Sequence, residues 1–150
     1  MRICCLVVMM LLTGCALYQP PPGWSRVNAE DFTVDLPMGL TPVPGSAAGS
    51  HILQYQNDDM LVTFDEGAYA GEQLDSLGKY KNYASDTQVI HGMGVQLVTF
   101  DIPPGPGHRF NYAAAASYRG AGLTVYIHCK SPADYATATK IFKTVRSKLL

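Results

Sequence analysis

A histidine beside a cysteine is the residue pair best suited to nucleophilic chemistry, the imidazole taking a proton so that a thiolate can attack, and this chain has one at His128-Cys129. The surrounding residues, Leu123 to Lys130, alternate as a β-strand does, and adjacent strand residues point to opposite faces. The two side chains therefore diverge, and no catalytic pair is expected there. Asp58-Asp59 would suit paired acid–base work, but the pair follows Asn57 between two apolar runs, where turn chemistry accounts for it. The histidines at 51, 91, 108 and 128 include no i, i+2 or i, i+4 pair of the kind that seeds a metal site, so neither a metal nor a cofactor is expected. His51 reads as a half-buried strand residue. CxxC, HExxH, G-x-S-x-G and Walker patterns are absent, and GPGHRF is only a fragment of a dinucleotide fingerprint with no helix pattern behind it. These residues point away from an enzyme.

The remaining cysteines, Cys4, Cys5 and Cys15, lie in or at the end of an N-terminal apolar run. Arg2 supplies a basic start, Ile3 to Leu12 an apolar stretch, and Thr13-Gly14 small residues, which is the layout of a secretory leader. The run is too short to span a bilayer, which takes about 20 apolar residues. Leu12-Thr13-Gly14-Cys15 resembles the lipobox of bacterial lipoproteins. The resemblance implies a signal peptide over residues 1–14, a diacylglyceryl thioether on Cys15, and membrane lipid as one partner of the chain. Three acyl chains, as such proteins carry, would make the anchorage permanent. Ala16, where an aspartate would imply retention in the inner membrane, implies sorting to the outer membrane with the domain facing the periplasm. Residues 15–23, with prolines at 20 to 22, read as the lipidated cysteine followed by an extended tether that holds the domain off the lipid.

Residues 24–150 are of one-domain size. The 150-residue chain is 47% hydrophobic and 15% charged with a net charge of −1, which excludes a nucleic-acid partner and a disordered chain. From Lys130 onward there are five Lys/Arg against Asp134, whereas residues 16–129 carry five against eleven Asp/Glu. A basic C-terminal helix on a mildly acidic body explains the split.

The elements follow from periodicity. Phe32 to Leu36 reads as a strand and the Pro/Gly/Ser/Ala stretch to Ser50 as a loop. His51 to Asp65 reads as a hairpin turning at Asn57-Asp58 with Gln56 opposite Asp59, which gathers Leu53, Tyr55, Met60, Val62 and Phe64 on one face. Glu72 to Tyr83 has helical spacing, Gln88 to His91 is a short strand, and Val95 to Ile102 is a central strand covered on both faces. Pairing Tyr118 with Leu123 across RGAG puts Phe110, Tyr112, Ala114, Ala116 and Tyr118 on a core face with Leu123, Val125, Ile127 and Cys129. Cys129 is thus expected to be a buried, unpaired thiol. The other face offers a floor of Ala113 and Ala115 with Asn111, Tyr126, His128 and Lys130 around it. These four residues form the candidate binding site if the helix near Leu74 and Leu77 leaves the floor open. Ser131-Pro132-Ala133-Asp134 caps a helix whose stripe is Ala138, Ile141, Phe142, Val145 and Leu149.

This order of elements, with FTVDLPMG near the start, GVQLVTFDIP in the middle and CKSPADYATATKIFKTVRSKL at the end, resembles the PsbP-like fold, which includes bacterial DcrB-like lipoproteins. The resemblance implies an α+β domain in which helices pack on the faces of an antiparallel sheet, an α/β/α sandwich with a C-terminal helix. It also implies a non-enzymatic accessory role in docking to, or stabilising, an envelope protein partner, and it supplies no catalytic residues. Two other functions stay open at this level: a carrier or sensor of a small apolar or amphipathic ligand, and a hydrolase without a recognisable motif.

Overall fold

In the computed structural model, which describes residues 18–44, 51–67, 70 and 74–149, the alternating runs form two antiparallel sheets. The leader, the lipobox and Cys15 lie outside the described residues. The smaller sheet joins β1 (Trp24–Asn28), β2 (Phe32–Pro37) and β10 (Arg146–Ser147), with β2 in the middle. The larger comprises β3 (Thr41–Val43), β4 (His51–Gln56), β5 (Met60–Glu66), β6 (Lys81–Ile90), β7 (Met93–Asp101), β8 (Tyr112–Tyr118) and β9 (Leu123–Cys129), in the spatial order β3-β4-β5-β9-β8-β7-β6. Among the described residues one α-helix, α1 (Tyr135–Thr144), precedes β10. The domain is α+β and rich in sheet.

Tyr118 pairs with Leu123, and Gly122 closes the connection in the left-handed region at φ 56°, where a side chain would be strained. This register sends Val125, Ile127 and Cys129 to the first face of the large sheet, with Val62, Phe64, Ala114, Ala116 and Tyr118. Phe32, Val34 and Leu36 of β2 and Ala138, Ile141 and Phe142 of α1 cover that face and complete the main core. The Phe32 and Phe64 rings lie 5.0 Å apart within it. Cys129 is a fully buried free thiol whose pKa burial pushes up to about 12.

Several expectations are corrected. The first hairpin turns at Asp58-Asp59, with Asn57 opposite Met60 and Tyr55 opposite Val62, because the Asn57 side chain accepts from the Asp59 and Met60 amides at 2.9 Å each. The slip is two residues, so every side chain keeps its face. Within the stretch expected to be one helix, Leu74–Lys79 forms only 3₁₀ turns and the chain enters β6 at Lys81, so among the described residues no α-helix lies on the second face of the sheet. β6 is ten residues long where a short strand was expected, and it closes into β7 through His91-Gly92, both at positive φ as a tight hairpin turn requires. Thr41–Val43 adds a short strand inside the expected loop.

The capping box is present: Ser131 Oγ accepts from the Ala133 amide and the Asp134 carboxylate accepts from the Ser131 amide, over a single 3₁₀ turn that leads into α1. The helix stops at Thr144, and Leu149 is 63% exposed rather than part of the stripe. Its end is fixed from three directions. Thr144 Oγ1 lies 2.8 Å from the Ile141 carbonyl, the Tyr118 hydroxyl donates to the Phe142 carbonyl at 2.6 Å, and His91 Nε2 donates to the Lys143 carbonyl at 2.9 Å. Those are carbonyls a helix cannot satisfy internally. Thr144 Oγ1 also accepts from the Asp35 amide at 3.0 Å, binding α1 to β2 where β10 no longer reaches.

The proline arm does not run straight into the domain. Trp24 N donates to the Pro21 carbonyl at 3.0 Å and Gly23 sits at φ 78°, so the arm folds back across the small sheet. There the Tyr18 hydroxyl donates to Asp35 Oδ2 at 2.8 Å, and its ring lies 4.3 Å from the Arg26 guanidinium and 4.7 Å from that of Arg146. Each such cation–ring contact contributes about 0.5–1 kcal/mol at an exposed site. Asp35, fully buried beneath these groups, is paired with Arg26 at 3.0 Å.

Replacing Tyr118 by phenylalanine keeps the ring in the core and removes only the donor to Phe142. The expected loss is about 1–2 kcal/mol of unfolding free energy, read from the urea midpoint at an unchanged slope. An unchanged midpoint would show that the bond does not hold the helix end.

Candidate functional site

The second face of the large sheet is built from the side chains that the same register turns the other way. Ala113 and Ala115 in β8 are small and fully covered, while Phe100 in β7 and Tyr126 and His128 in β9 rise beside them. A small second core forms where Leu74 of the 3₁₀ segment sits on this floor with Val98 and Phe100. Gln96 holds the segment in place. Its Oε1 accepts from the Leu74 amide at 3.0 Å, and its Nε2 donates to Asp75 Oδ1 at 2.8 Å and to Ser85 Oγ at 3.3 Å.

The segment covers only part of the floor. Between Leu77 and Tyr80 on one side and the 103–110 loop on the other remains a cleft of about 370 Å³. Leu77 and Tyr80 form one wall and His108, Arg109 and Phe110 the other, with Phe100, Tyr126 and His128 beneath. Tyr80 stacks on Phe100 at 5.0 Å with 22° between the rings, so the wall and floor are held by aromatic contact. The loop is stiffened by its prolines and by His108, whose Nδ1 donates to the Pro103 carbonyl at 3.0 Å. Gly105 lies close beneath that ring, and a Cβ there would stand about 3.0 Å from it, so a side chain would push the His108 ring aside. Arg109 sits at the rim and pairs with Asp58 at 2.9 Å, both side chains being well exposed.

Burial lowers the His128 pKa from the usual histidine value, so the ring is neutral at pH 7 and offers one donor and one acceptor. The cleft is therefore an aromatic and aliphatic slot with a neutral imidazole in its floor and a guanidinium at its mouth. Its chemistry suits an apolar body carrying a polar or anionic tip.

Of the four residues singled out from the sequence, the structure brings two together. Tyr126 and His128 share the cleft floor. Asn111 lines a neighbouring groove with Lys81, Asp101 and Pro103, and Lys130 lies on the surface 3.8 Å from Asp59. Phe110, expected on the Cys129 face, lines the cleft instead, because regular pairing starts at Tyr112 and strand alternation does not extend back into the loop. Sequence reasoning missed Tyr80, Phe100 and Arg109 as site residues. The Phe100–Ala113 pairing carries a signal that the sequence contains, a large ring opposite a small residue. Tyr80 and Arg109 lie on a 3₁₀ exit and a proline-rich loop, which have no periodicity to read.

His128 and Cys129 point to opposite faces, one into the cleft and one into the core. Among the described residues no three His, Cys, Asp or Glu side chains gather as a metal site would need. No protein-family model matches the chain, and no curated protein matches it in sequence.

His128 gives the domain a specific acid sensitivity. The unfolded chain takes up a proton as pH falls through about 6.5, before the folded one does, so this residue's share of stability is complete above that pH and declines below it. Urea denaturation at pH 7 and pH 5 should show the wild type losing more stability than His128→Gln. Parallel losses would mean that His128 is solvated.

Proposed function

We propose that this chain is an envelope lipoprotein, acylated at Cys15 and held in the outer membrane facing the periplasm, whose domain binds a small amphipathic ligand without transforming it. The observation that carries the binding reading is the cleft: an open slot with an aromatic floor and walls, the neutral His128 in its floor and Arg109 at the rim. A volume of about 370 Å³ falls within the range of small-molecule sites. A non-enzymatic role is supported by the position of Cys129, whose thiol is buried on the other side of the sheet and held protonated. The lipid anchor is supported by the lipobox and the short leader. A PsbP-like relationship is supported by the antiparallel sheet and the capped helix after its last hairpin, although the second face carries 3₁₀ turns where that fold would place a helix.

Docking to a protein partner is the second reading. The observation in its favour is β6, an edge strand of ten residues on which Val89 is 78% exposed. An added strand would pair with such an edge.

Two measurements test the proposal. Mass spectrometry of the membrane-extracted N-terminus should find diacylglyceryl-Cys15 as the first residue, and an unmodified Cys15 or another start would overturn the anchor. Titration with anilinonaphthalene sulfonate, an aromatic anion of suitable shape, should give saturable binding of one equivalent. Tyr80→Ala and Tyr126→Ala should each weaken it about tenfold, a change of about 1.4 kcal/mol, in proteins that still unfold cooperatively. Equal binding by all three proteins would remove the cleft as the site.

A further inference from the structure

The arm that enters the domain also determines which way the domain faces. Tyr18 is fastened to the outer side of the small sheet, through Asp35 and between Arg26 and Arg146. Asp35 alternates with Val34 and Leu36, whose side chains enter the main core, so the Tyr18 side of β2 is the one turned away from the large sheet. Resting on the reading of Cys15 as the lipidated residue, only two residues separate the anchor from Tyr18. Consecutive Cα atoms are about 3.8 Å apart, so a fully extended chain places Tyr18 no more than about 11 Å from the acylated cysteine. The length expected of the proline tether is not available for reach, because the arm is folded back and fastened at its membrane end.

The same side of the molecule is basic. The buried residues of α1 pack inward, which leaves Lys140 and Lys143 on its outer surface, beside Arg146 and the exposed Lys148. Arg26 is offset by Asp35, and Glu30 and Asp31 stand near Lys148 at the β1–β2 turn. Asp86 borders the middle of α1 across a groove, but around the helix end and β10 the balance remains positive and complements anionic phospholipid headgroups, each basic residue near such a surface adding to its attraction. We infer that the small sheet and α1 lie against the membrane, with Tyr18 acting as a strap that fixes this orientation. The large sheet forms the next layer out, and the cleft, on its far face, opens away from the lipid. With packed layers about 10 Å apart, the cleft mouth stands about 20 Å from the headgroups. Its ligand is then received from the aqueous side and not drawn from the leaflet that holds the anchor.

The test uses the full acylated protein in vesicles of phosphatidylethanolamine and phosphatidylglycerol containing a nickel-chelating lipid. Spin labels are placed at Asn28→Cys, on the exposed outer side of the small sheet, or at Lys79→Cys, beside the cleft. Nickel at the lipid surface should relax the Asn28 label several-fold more than the Lys79 label. Tyr18→Ala, with unchanged thermal unfolding, should bring the two labels close to parity, and Tyr18→Phe, which keeps the ring between the guanidiniums, should retain most of the difference. Equal relaxation in the parent, stronger relaxation at Lys79, or a difference insensitive to Tyr18→Ala would overturn the inference. Mass spectrometry on the same sample separates this from failure of the anchor. If Cys15 is found unmodified, the anchor reading falls and with it the cellular orientation. Coupling that thiol to a maleimide lipid then decides by the same label comparison whether the strap can orient the domain.

Discussion

The C-terminal end of α1 is the point on which the other parts of the domain converge. A helix of ten residues is too short to persist alone in water, and its last carbonyls have no partners of their own. Here they meet Thr144, Tyr118 and His91, which belong to the helix itself, to β8 and to the β6–β7 turn. His91 in turn accepts on Nδ1 from the Arg146 guanidinium at 3.3 Å, which fixes the proton on Nε2 where the Lys143 carbonyl needs it. A single helix end therefore holds the small sheet, the central hairpin and the far edge of the large sheet in one arrangement. The Tyr18 strap uses the same neighbourhood, since Arg146 contributes to both.

The central hairpin performs a different task, which is to separate two environments by one peptide unit. Cys129 and His128 are adjacent, yet burial moves their titrations in directions that suppress charge on both: the thiol stays protonated and the imidazole stays neutral. On the core side this leaves an inert sulfur. On the cleft side it leaves a ring that can form hydrogen bonds to a ligand without contributing a full charge. The alanines of β8 make both outcomes possible, because small residues let β2 and α1 approach on one face and leave depth for a slot on the other.

The parts of this arrangement that were readable in the sequence are those governed by repetition. Strand alternation with a short connection gave the Tyr118–Leu123 register, and with it the opposite fates of Cys129 and His128. The Ser-Pro-x-Asp sequence gave the start of the last helix. Its end was not readable, because Val145 continues the apolar spacing while the chain is turned into β10 by pairing with β2, a contact between residues distant in sequence. The Glu72–Tyr83 region was misread for a related reason: Leu74 and Leu77 have helical spacing, but Gln96, on another strand, bonds the Leu74 amide and the Asp75 carboxylate at the start of what forms as 3₁₀ turns. Half of the cleft floor was visible as Tyr126 and His128 beside the alanines. The walls were not, since loop conformation depends on contacts such as His108 with Pro103 that leave no periodic trace.

The two-residue strand β10 has a consequence in time as well as space. Its partner residues in β2, Thr33 and Phe32, leave the ribosome or a translocation pore more than a hundred residues before Arg146 and Ser147. Until those arrive, one edge of β2 has no strand beside it and α1 has not formed, so the apolar face of the large sheet lacks part of its cover. Early hairpins such as β4–β5 can assemble in the meantime from local contacts, but the domain closes only with one of its last-made elements. An unfinished chain therefore exposes Phe64 and Val62 in a state prone to self-association, and the interval before closure is when a chaperone would have most to protect.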